Sequence, residues 1–349
     1  MILVFNNPKK IQFKNPKFIS IADCPNNKKS NLMKNIWSNK KFLKKNYTYL
    51  NNLNKKVIIE LARQYKKNFN MNYSINFWKL ILTPWVSYFS FLILDNYYNL
   101  KRAKMNRKIK EIYLARNEIS DYIPLDFQQF AHLLRNDEYR FFLFSNVEKL
   151  FKDKTFKYKF TKLRLKNSNN FYLSGDFFAY WHNSIGGSLR KKPLIKKIAT
   201  SLFRSFFSIK KRSKYLMLDL PARPIFKNLS YFKFYLKFSF IPLKYKGYSK
   251  NTNYNLTLRN KFKLNLNKNN FEKILSNIIR YQIPCSIFEN FSRNIEFVKK
   301  NYPKNIKKIS STTSFWDDDL VKIWIALSTE KNTKFYPRQH GGSYGTDLI

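Results

Sequence analysis

An α/β fold with parallel strands is what this sequence predicts, on three observations near its C-terminus. Ile306-Lys307-Lys308-Ile309-Ser310-Ser311 has the character of a strand. Leu320 to Thr329 places Val321, Trp324 and Leu327 at helical spacing. Phe335 to Arg338 is a second short strand that runs into a glycine turn. Strand, helix, strand makes a βαβ unit, and such units place ligands beyond the carboxyl ends of their strands.

The remaining elements follow in chain order. Met1-Ile2-Leu3-Val4-Phe5 is a first strand, broken too soon by Asn6-Asn7-Pro8-Lys9 to be a secretory signal. It opens an N-terminal strand and loop region, 1–56, rich in Asn and Lys, with a loop at Cys24-Pro25. A helical segment occupies 57–152. Its first part runs from Val57 to about Asn106, and its centre, Phe77 to Leu94, is nearly continuous in apolar and aromatic residues. Three readings of that centre stand: a buried helix, a membrane-surface helix, or a span. Pro84 and the polar Ser87, Tyr88 and Ser90 interrupt it and favour burial. The basic flank Lys101 to Lys108 suits anionic headgroups. Phe127 to Lys152 reads as another helix, with His132 inside it as a structural or surface residue. The α/β part, 153–349, contains a buried strand at Lys214 to Pro221, a second strand within Phe232 to Leu243, and helix from Asn269 to about Lys300 interrupted near Pro284.

Composition bounds the function without choosing it. The chain of 349 residues is 44% hydrophobic and 18% aromatic, so it can bury a large core in one or two domains. Its formal charge is +46, from 67 Lys+Arg against 21 Asp+Glu. Two explanations compete: a drift toward Lys, Asn, Ile, Phe and Tyr that leaves only 7 Gly, or a charge kept for an anionic partner. Cys24 and Cys285 form no CxxC pair, which supports neither a disulfide framework nor a zinc site and fits a reducing cytoplasm. Neither GxGxxG nor GxxxxGK[ST] is present.

The chemistry concentrates after the last strand. In Gln339-His340-Gly341-Gly342-Ser343-Tyr344-Gly345 the glycines let a phosphate or sugar approach the backbone, and the histidine titrates near neutral pH. His340 is the candidate general base, with Gln339, Gly341, Gly342 and Tyr344 as candidate substrate-binding residues. Asp317, Asp318 and Asp319 either hold a divalent metal or cap the helix that follows. A loop with Gly175-Asp176, Trp181-His182-Asn183 and Gly186-Gly187 either lines the same cleft or is plain surface.

These residues also carry a resemblance. Trp78-Lys79-Leu80-Ile81-Leu82-Thr83-Pro84-Trp85, continuing to Asp95-Asn96-Tyr97-Tyr98, resembles the paired-Trp helical segment of bacterial transferases placed in surface-carbohydrate and O-antigen gene clusters. Trp316-Asp317-Asp318 through Trp324 and Glu330 to the Gln339-to-Gly345 string resembles the second signature of that family. Such proteins are similar to two-domain GT-B glycosyltransferases and, more distantly, to enzymes that pass glycerol phosphate from a CDP carrier. The resemblance implies a Rossmann-like N-terminal, acceptor-side half of a GT-B transferase with an added helical segment, in which His340-Gly341 is the counterpart of a catalytic His-Gly pair. It implies that the donor-nucleotide domain would begin where this chain ends, so that the chain is the front portion of a longer protein.

The expected partners are then a nucleotide-activated sugar or glycerol donor and a glycan or lipid-linked acceptor. No metal and no cofactor is required, because GT-B sites stabilise a leaving diphosphate with helix N-termini and basic side chains. A cytoplasmic protein, peripheral at the inner membrane and in contact with its anionic surface, is expected. Specific nucleic-acid binding is not, although a non-catalytic polyanion binder that uses Lys and aromatic residues is the alternative class.

Overall fold

A computed structural model describes residues 2–4, 18–20, 36–106, 108–151, 156–163, 214–219, 229–238 and 254–338. The Cys24-Pro25 and Gly175-to-Gly187 loops lie outside them. The described part is mixed α/β and mostly helical, with two small parallel sheets.

The chain enters as β1 (Ile2–Val4) and β2 (Phe18–Ser20), then turns helical at α1 (Lys40–Phe69). Helix α1 begins 17 residues before the expected Val57, because Asn39 caps it by accepting a hydrogen bond from the Phe42 backbone N–H at 3.0 Å. It stops at Asn70, which takes the left-handed conformation at φ 54° and donates its N–H to the Lys66 carbonyl. Ser74 then caps α2 (Ile75–Met105), so the helical stretch expected up to Asn106 is two antiparallel helices. Pro84 does not break α2. The Leu80 carbonyl loses its usual partner there, and packing against α1 and the helices that follow holds α2 together.

β3 (Glu111–Ala115), α3 (Phe127–Leu133), α4 (Asp137–Phe151) and β4 (Lys157–Thr161) follow. The single helix expected from Phe127 to Lys152 is divided, since Asn136 caps a new start by accepting from the Tyr139 N–H at 2.9 Å. The first sheet, ordered β2-β1-β3-β4 and parallel throughout, takes strands from each of 1–56, 57–152 and 153–349.

β5 (Tyr215–Met217) falls within the strand expected at Lys214 to Pro221. α5 (Leu229–Phe238) overturns the strand expected within Phe232 to Leu243: Phe234 and Phe238, one helical turn apart, meet with ring centroids 4.8 Å apart. The aromatic content suggested a strand, and the helical period won. α6 (Leu256–Lys261), α7 (Asn270–Gln282), a 3₁₀ turn at Cys285–Ile287 and α8 (Phe291–Asn301) agree with the interruption expected near Pro284. Then come β6 (Lys308–Ser311), α9 (Ser314–Asp317), α10 (Asp319–Thr329) and β7 (Lys334–Pro337). The second sheet is β5-β6-β7, again parallel, so the βαβ unit of β6, α10 and β7 is present.

Helix α2 is the spine of the core and packs against α1, α4, α7 and α10. It is long and apolar enough to cross a membrane, yet 67% of its most apolar window is buried inside the fold. Trp78 and Trp85 are each 1% exposed, and Trp78 stacks on Tyr65 with centroids 4.5 Å apart. The two segments that carry the family resemblance therefore touch. α10 lies on α2, and Glu330 beyond the end of α10 accepts hydrogen bonds from the Ser74 hydroxyl and, at 3.3 Å, the Ser74 N–H.

Candidate functional site

The second sheet brings three chain ends to one edge. Past β5, Leu218 continues the ladder by donating to the Ser310 carbonyl at 2.9 Å, and Asp219 turns the chain at φ 60°. Asp tolerates that left-handed conformation better than most residues do. The turn carries the Asp219 carboxylate onto the loop after β6. There it accepts from Ser311 Oγ at 2.9 Å, the Thr312 N–H at 2.7 Å, the Ser314 N–H at 3.2 Å and the Ser314 hydroxyl. One side chain thereby ties the carboxyl ends of β5 and β6 together.

Arg338, just past β7, closes the third side. Its backbone N–H donates to the Ser311 carbonyl at 2.7 Å, and its guanidinium donates from Nη2 to the Leu218 carbonyl. Among the described residues its buried Nε has no hydrogen-bond partner, and neither has the buried Thr312 Oγ1. Buried polar atoms without partners occur elsewhere among the described residues, at Asn54, Ser90 and Asn96 for example, but these two lie at the carboxyl edge of a parallel sheet, where α/β folds bind ligands, and that position makes the edge the candidate site. A fixed guanidinium and a free hydroxyl can receive an anionic or hydroxylated substrate group.

The three carboxylates before α10 do not converge. Asp318 is its cap, accepting from the Leu320 and Val321 N–H groups at 2.8 and 3.2 Å. Burial pushes its carboxyl up to about 6. Asp319, with its side chain 2% exposed, pairs with the 1% exposed Lys322 at 2.8 Å and accepts from the Phe127 N–H at 3.0 Å and from the Ser286 hydroxyl. The Lys322 ammonium also lies 3.9 Å from the centroid of the Phe127 ring. Of the two readings of these carboxylates, the cap describes Asp318. Among the described residues no group of three or more His, Cys, Asp or Glu could hold a metal ion.

Gln339, His340, Gly341, Gly342 and Tyr344 lie outside the described residues, next in sequence after Arg338. His132 is an exposed residue near the end of α3, held below its ordinary pKa first by partial burial and then by Arg135. The sequence reading passed over Asp219, Thr312 and Arg338 as site residues. One signal was present: Asp219 is a lone carboxylate within an apolar run, two residues before Pro221.

No curated protein and no solved structure matches the chain. Residues 7–349, nearly the whole chain and including both resemblance segments and the edge built on Asp219 and Arg338, match one family profile. The chain belongs to the LIC12162 family of transferases.

Proposed function

We propose that the group transferred is glycosyl or glycerophosphoryl, moved from a nucleotide-activated donor to a glycan or lipid-linked acceptor in cell-surface polysaccharide or O-antigen synthesis. The protein acts in the cytoplasm at the inner membrane, on a scaffold of the GT-B type. The observation that carries this reading is Arg338, anchored through backbone and side chain at the carboxyl edge with its Nε unspent. His340 follows two residues later, so chain connectivity limits the separation of the two Cα atoms to about 7 Å.

In the reaction, His340 takes the proton of an acceptor hydroxyl as that oxygen attacks the anomeric carbon or the phosphorus of the donor, and the nucleotide leaves with the bonding electron pair. Arg338 offsets negative charge that develops at the edge, and Thr312 Oγ1 orients a substrate hydroxyl or phosphate oxygen.

The test is nucleotide release by the protein expressed from its full reading frame, supplied with nucleotide sugars and CDP-glycerol. Glycosyl transfer from a nucleoside diphosphate sugar releases the nucleoside diphosphate, and glycerophosphoryl transfer releases CMP, so the product separates the two chemistries. His340→Gln should retain donor binding and lose turnover by ~10²–10⁴-fold. An unchanged kcat removes His340 as the base.

A further inference from the structure

Helix α1 has a second face that the core does not use. Thirteen of its residues are exposed, and nine of those are cationic: four Lys-Lys pairs, beginning at Lys40, Lys44, Lys55 and Lys66, together with Arg63. The pairs at 44, 55 and 66 recur every 11 residues, three helical turns with a drift of about 20°, so they stay on one side of the helix. From Lys40 to Lys67 the stripe is about 40 Å long. The helix has one carboxylate, Glu60, and it is paired with Arg63. Compositional drift would place Lys wherever a surface tolerates it. It does not account for cationic pairs that recur at an 11-residue interval on one face of one helix, with uncharged Thr48, Asn51 and Asn52 as the exposed residues between the second and third pairs.

We propose that this face docks the protein on an anionic lipid surface. A straight stripe of this length meets a flat surface along its whole extent, and lysine ammonium groups suit diffuse attraction to lipid phosphates. None of the exposed positions of the stripe carries an aromatic ring. Its exposed apolar member is Ile59, whereas the rings of Tyr49, Tyr65 and Phe69 make their contacts with inward-lying aromatic residues such as Phe271 and Phe262. At the end of the helix pair, α2 contributes exposed Lys101 and Met105, the latter 78% exposed, a cation beside an apolar side chain that can enter the headgroup layer. The inference rests on the proposed function only for the lipid-linked acceptor, and binding is read without turnover, so either can fail alone.

The test is sedimentation with vesicles of phosphatidylcholine alone and of phosphatidylcholine mixed with phosphatidylglycerol. The protein should bind the anionic vesicles only, and less at high salt. Lys44→Gln, Lys55→Gln, Lys56→Gln and Lys66→Gln together should lower the partition coefficient on the order of a hundredfold. Lys263→Gln, Lys299→Gln, Lys300→Gln and Lys304→Gln, four exposed lysines elsewhere, should change it less than about fivefold. Equal losses from the two sets would reduce the effect to net charge and overturn the proposal, as would no binding to either vesicle. Tighter binding to a nucleic-acid duplex at the same salt, lost with the α1 set, would also overturn it in favour of nucleic acid. An unchanged melting temperature in both variants establishes that folding is not what is read.

Discussion

Removing the carboxylate of Asp319 should be among the most damaging single changes available in the second half of the chain. With the two side chains 2% and 1% exposed and 2.8 Å apart, neither Asp319 nor Lys322 can turn to water when its partner is lost. Their gross attraction at an effective dielectric of 20 is about 6 kcal/mol, most of it offset by the desolvation of the two ions. What an experiment reads is therefore the cost of orphaning. Asp319→Ala leaves a buried ammonium alone and strips acceptors from the Phe127 N–H and the Ser286 hydroxyl, for an expected loss of about 3–5 kcal/mol. Lys322→Met leaves the carboxylate with those two donors and should cost about 2 kcal/mol. The double variant should cost at least about 1.5 kcal/mol less than the sum of the singles, because no unpaired charge is left. Urea unfolding at equilibrium, with the slopes compared, measures all three. A coupling within about 0.5 kcal/mol of zero would refute the argument, since it would mean that water reaches the pair.

Three further outcomes are expected. Asp318 is raised in the fold from its ordinary 3.8 to about 6, so the native state binds a proton more tightly and its stability should rise as pH falls from about 6 toward 4, by roughly 1–3 kcal/mol. Asp318→Asn, which keeps a capping side chain, should abolish that part of the pH dependence, and a difference curve parallel to the wild type would contradict it. Asp219→Asn presents an amide N–H to the donors of Ser311, Thr312 and Ser314, and should cost about 2 kcal/mol in urea unfolding while sharply lowering nucleotide release; full activity would remove the carboxyl edge as the site. Trp78→Ala should cost about 3–5 kcal/mol, and a loss below about 1.5 would show that Tyr65 and Phe291 close over the gap.

Much of the second sheet could be read before the structure. β6, α10 and β7 announce themselves because each is short and set off by strong punctuation, Asp318 at the helix start above all. The Pro284 break was legible for the same reason. The start of α1 was not, since its outward face is lysine and asparagine, and the stripe of Leu50, Leu53, Val57, Leu61 and Tyr65 is diluted by them. The strands β3 and β4 escaped notice because charged Glu111, Lys157 and Lys159 interrupt them and their pairing is settled by neighbours distant in sequence, Ile2 on Glu111 and Glu111 on Lys157. The site divides in the same way. A histidine among glycines is visible in a string of letters, but the value of Asp219 comes from its turn conformation and from partners about 93 residues distant.

That distance also orders assembly. Within the βαβ unit Lys308 pairs with Lys334, a closure of 26 residues, whereas Asp219 reaches Thr312 only after 93 have been looped out. The longer loop costs about 1 kcal/mol more entropy to close and lowers the odds of early contact. In pulse-labelled hydrogen exchange during refolding, the Lys334 amide should gain protection before that of Thr312. The carboxyl edge is thus a late product of folding, and protection at Thr312 reports a chain in which the whole second sheet has come together.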